Sequence, residues 1–113
     1  MDVIEEIKSI IAEQPVVLFM KGTPEFPQCG FSMRTAEALK ACNIPFTYVD
    51  ILAAPEVRAN LPQVSNWPTF PQVFINGELI GGCDITLDLY QKGELQKLLQ
   101  AATAPAEGTR SAG

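Results

Sequence analysis

Gln72-Val73-Phe74-Ile75-Asn76-Gly77-Glu78-Leu79-Ile80 sets two apolar runs on either side of an Asn-Gly pair. Asn-Gly supplies the two left-handed residues that a tight hairpin turn needs, so the stretch predicts antiparallel strands over 72–75 and 78–80. Upstream, Val16-Val17-Leu18-Phe19-Met20 is a continuous apolar run between Pro15 and Gly22. It is short and starts β-branched, which predicts a strand buried on both faces. Phe46-Thr47-Tyr48-Val49-Asp50-Ile51 predicts another. Between these two, residues 29–42 predict a helix with Met33, Ala36, Leu39 and Lys40 in register. Strand, helix and strand at this spacing form a βαβ unit, and therefore a parallel pair.

The remaining elements sit around this frame. Ile4, Ile7, Ile10 and Ile11 recur at helical spacing between Asp2, a natural N-cap, and Pro15, which stops the helix. Pro55 suits the first turn of a short helix running to about Leu61. Asp84 is placed to cap a helix reaching Gln91, Gly93 interrupts it, and a last helix runs from 94 to about 102. Residues 103–113 are small and polar without a core pattern, which predicts a disordered tail after one domain over 1–102. No internal repeat is present. A parallel βαβ half joined to an antiparallel hairpin, with helices on both faces, is an α/β arrangement of thioredoxin-like type: a central four-stranded mixed sheet flanked by helices.

Composition narrows the function. A chain of 113 residues, 47% of them apolar, suits one domain with a modest core. Its net charge of −5 argues against nucleic acid and against an anionic membrane surface as partners. No apolar run approaches the roughly 18 residues of a membrane span. The opening Met1-Asp2-Val3-Ile4-Glu5-Glu6 is acidic and lacks the pattern of a leader peptide, so a cytoplasmic location is expected. With no histidine there is no Cys–His nucleophile pair. The three cysteines, Cys29, Cys42 and Cys83, cannot by themselves complete a four-coordinate zinc site. An odd count does not suggest a disulfide framework.

Cys29 stands where the loop after the first strand meets a helix. Exposed backbone N–H groups at a helix start favour an anion, and Lys21 ends the preceding strand. Both stabilise thiolate over thiol. A lone cysteine is more often an inert core residue, and the loop context shifts that balance. Ser32 occupies the position where a Cys-x-x-Cys motif carries its second thiol, so disulfide exchange at Cys29 would need an external thiol to resolve it.

Four motifs then resemble one family. Lys21-Gly22-Thr23-Pro24, Cys29-Gly30-Phe31-Ser32, Trp67-Pro68-Thr69-Phe70-Pro71-Gln72 and Gly81-Gly82-Cys83-Asp84 are similar, in order and spacing, to the monothiol (CGFS-type) glutaredoxins of the short single-domain bacterial type. The similarity covers about residues 3–100. It implies a glutathione groove in which Lys21 and Arg58 hold the glycyl carboxylate. Thr69 and the backbone of Phe70 would flank the cysteinyl part like an added strand. Pro71 would be a cis-proline. The N–H groups of Cys83 and Asp84 would meet the γ-glutamyl carboxylate, and the Asp84 carboxylate would meet the ammonium.

Each residue also has a plainer reading. Lys21 and Arg58 can be solvated charges, Asp84 a helix cap, Thr69 a turn residue and Trp67 a core residue. Cys42 reads as a small core hydrophobe. Cys83 is either an occasional disulfide partner of Cys29 or a donor through its backbone.

The resemblance further implies a 2Fe–2S cluster. Such a cluster takes four thiolate-type ligands, here Cys29 and one glutathione from each half of a homodimer. BolA-like proteins and iron–sulfur apoprotein acceptors are the implied partners. Glutathione-dependent disulfide reduction, with Cys29 as nucleophile, is the competing activity, and an adaptor role through a BolA-like protein is a third.

Overall fold

A computed structural model describes residues 2–104. At its centre lies β1 (Val16–Met20), buried at every residue. It pairs in parallel with β2 (Thr47–Asp50) and antiparallel with β3 (Gln72–Ile75), which pairs antiparallel with β4 (Glu78–Gly81). The order across the sheet is β2-β1-β3-β4. Asn76 and Gly77 carry φ of 54° and 81°, the two left-handed residues of the expected hairpin turn.

Five helices cover the sheet: α1 (Val3–Glu13), α2 (Gly30–Ala41), α3 (Pro55–Ser65), α4 (Cys83–Gln91) and α5 (Glu94–Thr103). The alternation of side chains along β1 divides the core into two layers. Val16, Leu18 and Met20 pack with Ala36, Leu39, Val73, Leu95 and Leu99, beneath α2 and α5. Val17 and Phe19 pack with Ile7, Ile11, Val57, Leu61 and Phe74, beneath α1 and α3. Phe19 and Phe74 meet edge-to-face, with ring centroids 5.7 Å apart. Asp2 caps α1 as expected, accepting from the Glu5 N–H at 2.9 Å.

Several local expectations are corrected. Helix α2 excludes Cys29 and Cys42, which are its two caps. Met33 and Lys40 do not face the core; Ser32, Thr35, Ala36, Ala38 and Leu39 do. The polar pair is tolerated because Ser32 Oγ accepts from the Lys21 N–H and Thr35 Oγ1 donates to Phe31 O. Helix α3 does not stop at Leu61 but runs through Pro62 to Ser65, ending at Asn66 in the left-handed conformation. Pro62 forfeits one helical hydrogen bond, and burial of Val57 and Leu61 with packing by Val64 carries the helix past it. Asp84 does not cap α4: it lies inside the first turn, because the cap falls two residues earlier, at extended Gly82. Thr103, expected in the tail, is the last residue of α5, its hydroxyl donating to Leu99 O at 2.8 Å. From 105 onward the expected tail lies outside the described residues.

Candidate functional site

The carboxyl end of β1 is where a parallel pair leaves its strand ends open to ligands. Two hydrogen bonds fix the chain as it leaves β1. The Lys21 N–H donates to Ser32 Oγ at 3.0 Å, and the Gly22 N–H donates to Asp50 Oδ1 at 2.9 Å. That same Asp50 oxygen accepts from the Leu52 N–H at 2.9 Å. Residues 22–28 then double back on themselves. Thr23 and Phe26 exchange backbone hydrogen bonds, and the Gln28 N–H donates to Lys21 O at 2.9 Å. From α2, Lys40 Nζ donates to Pro24 O at 2.9 Å and ties the loop down from outside.

This loop delivers Cys29 in an extended conformation as the N-cap of α2, its carbonyl accepting from the Met33 N–H at 2.9 Å. The sulfur is partly exposed and faces the first turn of the helix. Hydrogen bonding from the Ser32 N–H is the largest influence and lowers the thiol pKa. The Phe31 N–H, the charge of Lys21 and the Ser32 hydroxyl lower it further, while partial burial opposes them. The net pKa lies below the ordinary thiol value. Burial instead pushes the Cys42 thiol up.

The sign for stability follows from linkage. Cys29 is ionised in the folded protein at pH values where the unfolded thiol is still protonated. Its contribution is complete above the unfolded value and is lost as pH falls through the folded one. Ser32→Ala removes the hydroxyl that faces Cys29 and leaves the Lys21 N–H without its acceptor. The midpoint of the alkylation rate against pH at Cys29 is expected to move upward, and stability to fall by about 1–3 kcal/mol. An unchanged midpoint would show that the Ser32 side chain does not act on the thiol.

Cys29 opens onto a groove of about 710 Å³. Lys21, Arg58, Thr69, Phe70, Cys83 and Asp84 all line it, so the residues named from the sequence, 63 positions apart at the extremes (84 − 21), share one cavity. Lys21 comes from the end of β1 and Arg58 from the exposed face of α3. Thr69 and Phe70 belong to the segment between α3 and β3, where the Phe70–Pro71 bond is cis. Cys83 and Asp84 form the first turn of α4, whose free N–H groups give this end of the groove a partial positive charge. The lining thus offers two cations, one carboxylate and the starts of two helices around a single partly exposed sulfur.

Sequence reasoning missed three contributors. Asp50 holds Gly22 from the neighbouring strand, and Gln72 is buried behind segment 67–70. Phe31 stands 54% exposed on the rim, with the Arg34 guanidinium 5.4 Å from its ring centroid. An exposed aromatic directly after Cys29-Gly30 was the one available signal among these. No group of three or more His, Cys, Asp or Glu side chains able to hold a metal ion occurs among the described residues, and no described helix is long and apolar enough to cross a membrane.

Comparison with known proteins finds similarity along most of the chain. A glutaredoxin family profile matches residues 16–80. Glutaredoxin 4 of Pasteurella multocida (strain Pm70) is 55% identical over 109 residues, covering 95% of this chain and 100% of that protein. Glutaredoxin 4 of Escherichia coli (strain K12) is 54% identical over 101 residues, covering 89% of this chain and 88% of that one. Among solved structures, reduced poplar apo GrxS14 aligns with a TM-score of 0.76 at 46% identity, over 91% of this chain and 94% of its own.

Proposed function

This chain belongs to the glutaredoxin family, and from that premise we propose that it carries a 2Fe–2S cluster as cargo, held by Cys29 and glutathione and passed to acceptor proteins in a cytoplasmic, reducing setting. The observation that carries the reading is the thiol arithmetic. One sulfur, ionised more readily than an ordinary thiol, faces a groove with cations, a carboxylate and two helix starts. Ser32 stands where a resolving thiol would be.

The groove suits a tripeptide bearing two carboxylates and one ammonium. Lys21 and Arg58 would neutralise the glycyl carboxylate. The Cys83 and Asp84 N–H groups would receive the γ-glutamyl carboxylate, with the Asp84 side chain taking the ammonium. Thr69 and the Phe70 backbone would flank the cysteinyl residue between them. This brings the tripeptide thiol beside Cys29.

A 2Fe–2S cluster takes four thiolate-type ligands. One chain supplies one suitable thiolate, and its bound glutathione supplies a second. Two copies complete the set as a cluster-bridged homodimer, which fits the donor chemistry at the groove rim. With half the ligands diffusible, the cargo is held loosely enough to hand on. A BolA-like protein could replace one half of the dimer, which is the adaptor form of the same role.

The lowered thiol pKa supports a second activity. The Cys29 thiolate could attack a glutathionyl mixed disulfide, releasing the substrate thiolate and forming a Cys29–glutathione disulfide. A second glutathione would then release oxidised glutathione and restore Cys29. Anaerobic reconstitution with iron, sulfide and glutathione separates the two. The expected product is a coloured dimer that fails to form when glutathione is omitted. A colourless protein with robust turnover in a glutathione-coupled reductase assay would replace the carrier reading with the enzymatic one.

A further inference from the structure

Segment 67–70 forms one wall of the groove, yet it belongs to no helix or strand. What holds it is a side chain from the sheet. Gln72 begins β3, pairs in register with Phe19 of β1 and is fully buried. Its Nε2 donates to two carbonyls of the segment, Trp67 O at 3.0 Å and Thr69 O at 3.1 Å. The orientation of the carboxamide follows from these partners, since an amide oxygen turned toward two carbonyls would be repelled. Both amide hydrogens are therefore spent on the backbone of one loop.

Gln72 Oε1 is buried with no protein partner among the described residues, and so is Trp67 Nε1. A fully buried position on a core strand would ordinarily favour an apolar side chain over a half-satisfied carboxamide. The two donors are what Gln72 adds. Trp67 extends the effect across the groove. A Cβ on Gly82 would lie 3.6 Å from Trp67 Nε1 and 3.2 Å from Pro71 O, so the indole and the cap of α4 leave room for no more than a methyl group between them. Holding the backbone of Trp67 thus sets the spacing between the two walls.

We propose that Gln72 is a positioning residue for the tripeptide groove. It does not line the cavity; it fixes the distance between the Phe70 backbone and the Cys83–Asp84 turn. The proposal rests on the glutathione reading of that groove.

Calorimetric titration with glutathione at 25 °C tests it on the wild type, Gln72→Met and Gln72→Glu, alongside alkylation of Cys29 and thermal unfolding. Methionine fills a similar volume without donors. Gln72→Met is expected to stay folded, alkylate with the wild-type pH profile and bind glutathione about tenfold more weakly, the scale of one or two neutral hydrogen bonds. In Gln72→Glu the ionised carboxylate repels both carbonyls. The protonated acid can donate to one of them, so its affinity relative to wild type should recover as pH falls. A purely structural role would lower the unfolding temperature of both variants without producing that pH-dependent recovery. Wild-type protein that takes up no glutathione overturns the reading beneath the proposal. Wild-type uptake with unchanged affinity in Gln72→Met overturns the proposal alone, whether or not Gln72→Glu folds.

Discussion

Cys29→Ser is expected to yield a folded protein that holds no cluster. Anaerobic reconstitution of this variant with iron, sulfide and glutathione is expected to leave the visible spectrum blank and the protein monomeric. The loss should be complete rather than graded, because under the proposed function the chain would contribute one ligand per copy and a serine hydroxyl is neither soft nor ionised at neutral pH. The fold should not suffer. Cys29 is the N-cap of α2, and serine is among the best residues at that position. The other two thiols supply the contrast. Cys42 is 1% exposed with its pKa pushed up by burial, and Cys83 is 7% exposed. Cys42→Ala and Cys83→Ala should therefore still load. Alanine is the better replacement at position 42, since a serine hydroxyl there would enter an apolar core. A Cys29→Ser protein that still takes up the cluster would move the site elsewhere.

Gly22→Ala should damage both stability and the reactive thiol. Gly22 has φ of +92°, a conformation that costs an L-residue about 1–3 kcal/mol. There is also no room: a Cβ would stand 2.6 Å from Phe26 O and 2.8 Å from Gln28 N. Both are backbone atoms of the loop that Gly22 begins, so neither can swing aside as a side-chain end could. Relief requires the 22–28 loop to open. That would break the Gly22 hydrogen bond to Asp50 and withdraw Lys21 from Cys29. Urea unfolding should therefore show a loss exceeding the conformational cost alone, and the alkylation midpoint of Cys29 should rise. Gly77→Ala is the control. Its φ is +81°, but nothing lies within 4 Å of the added methyl, so only the conformational cost applies and the thiol is untouched. Equal losses in the two variants, with no change at Cys29, would refute the role of the loop.

Much of the architecture was legible because its causes are local. Asn76-Gly77 specifies its turn through the backbone preferences of two residues, and the unbroken run from Val16 marks a strand covered on both faces. The limits were equally local. Ser32 and Thr35 were not among the residues expected to face the core, and they do so because their hydroxyls bond to Lys21 N–H and Phe31 O. Pro62 reads as a helix end until the packing of α3 against α1 and the sheet is known. Asp84 reads as a cap because aspartate is good at capping, yet Gly82 takes that place where the chain passes against Pro71 O and Trp67 Nε1.

The groove divides in the same way. Lys21, Cys29, Arg58, Thr69, Phe70, Cys83 and Asp84 could be named from motif resemblance, and folding brings all seven to one cavity. Asp50 lay in no quoted motif, and Gln72 closed one without being given a role, yet both hold the groove from behind. Their partners are backbone atoms, and a backbone amide or carbonyl leaves no trace in the identity of the residue that carries it.

The sequence by itself determined the order of strands and helices along the chain, the place of the Cys29 thiol at a helix start and the lack of a partner thiol at position 32. Those follow from apolar periodicity, turn chemistry and residue identity within a few positions. Only the tertiary structure decided how the ends of β1, α3 and α4 converge on that thiol and which buried polar groups keep them apart. Such distances arise from two core layers packed against one sheet, between residues that the chain keeps tens of positions apart.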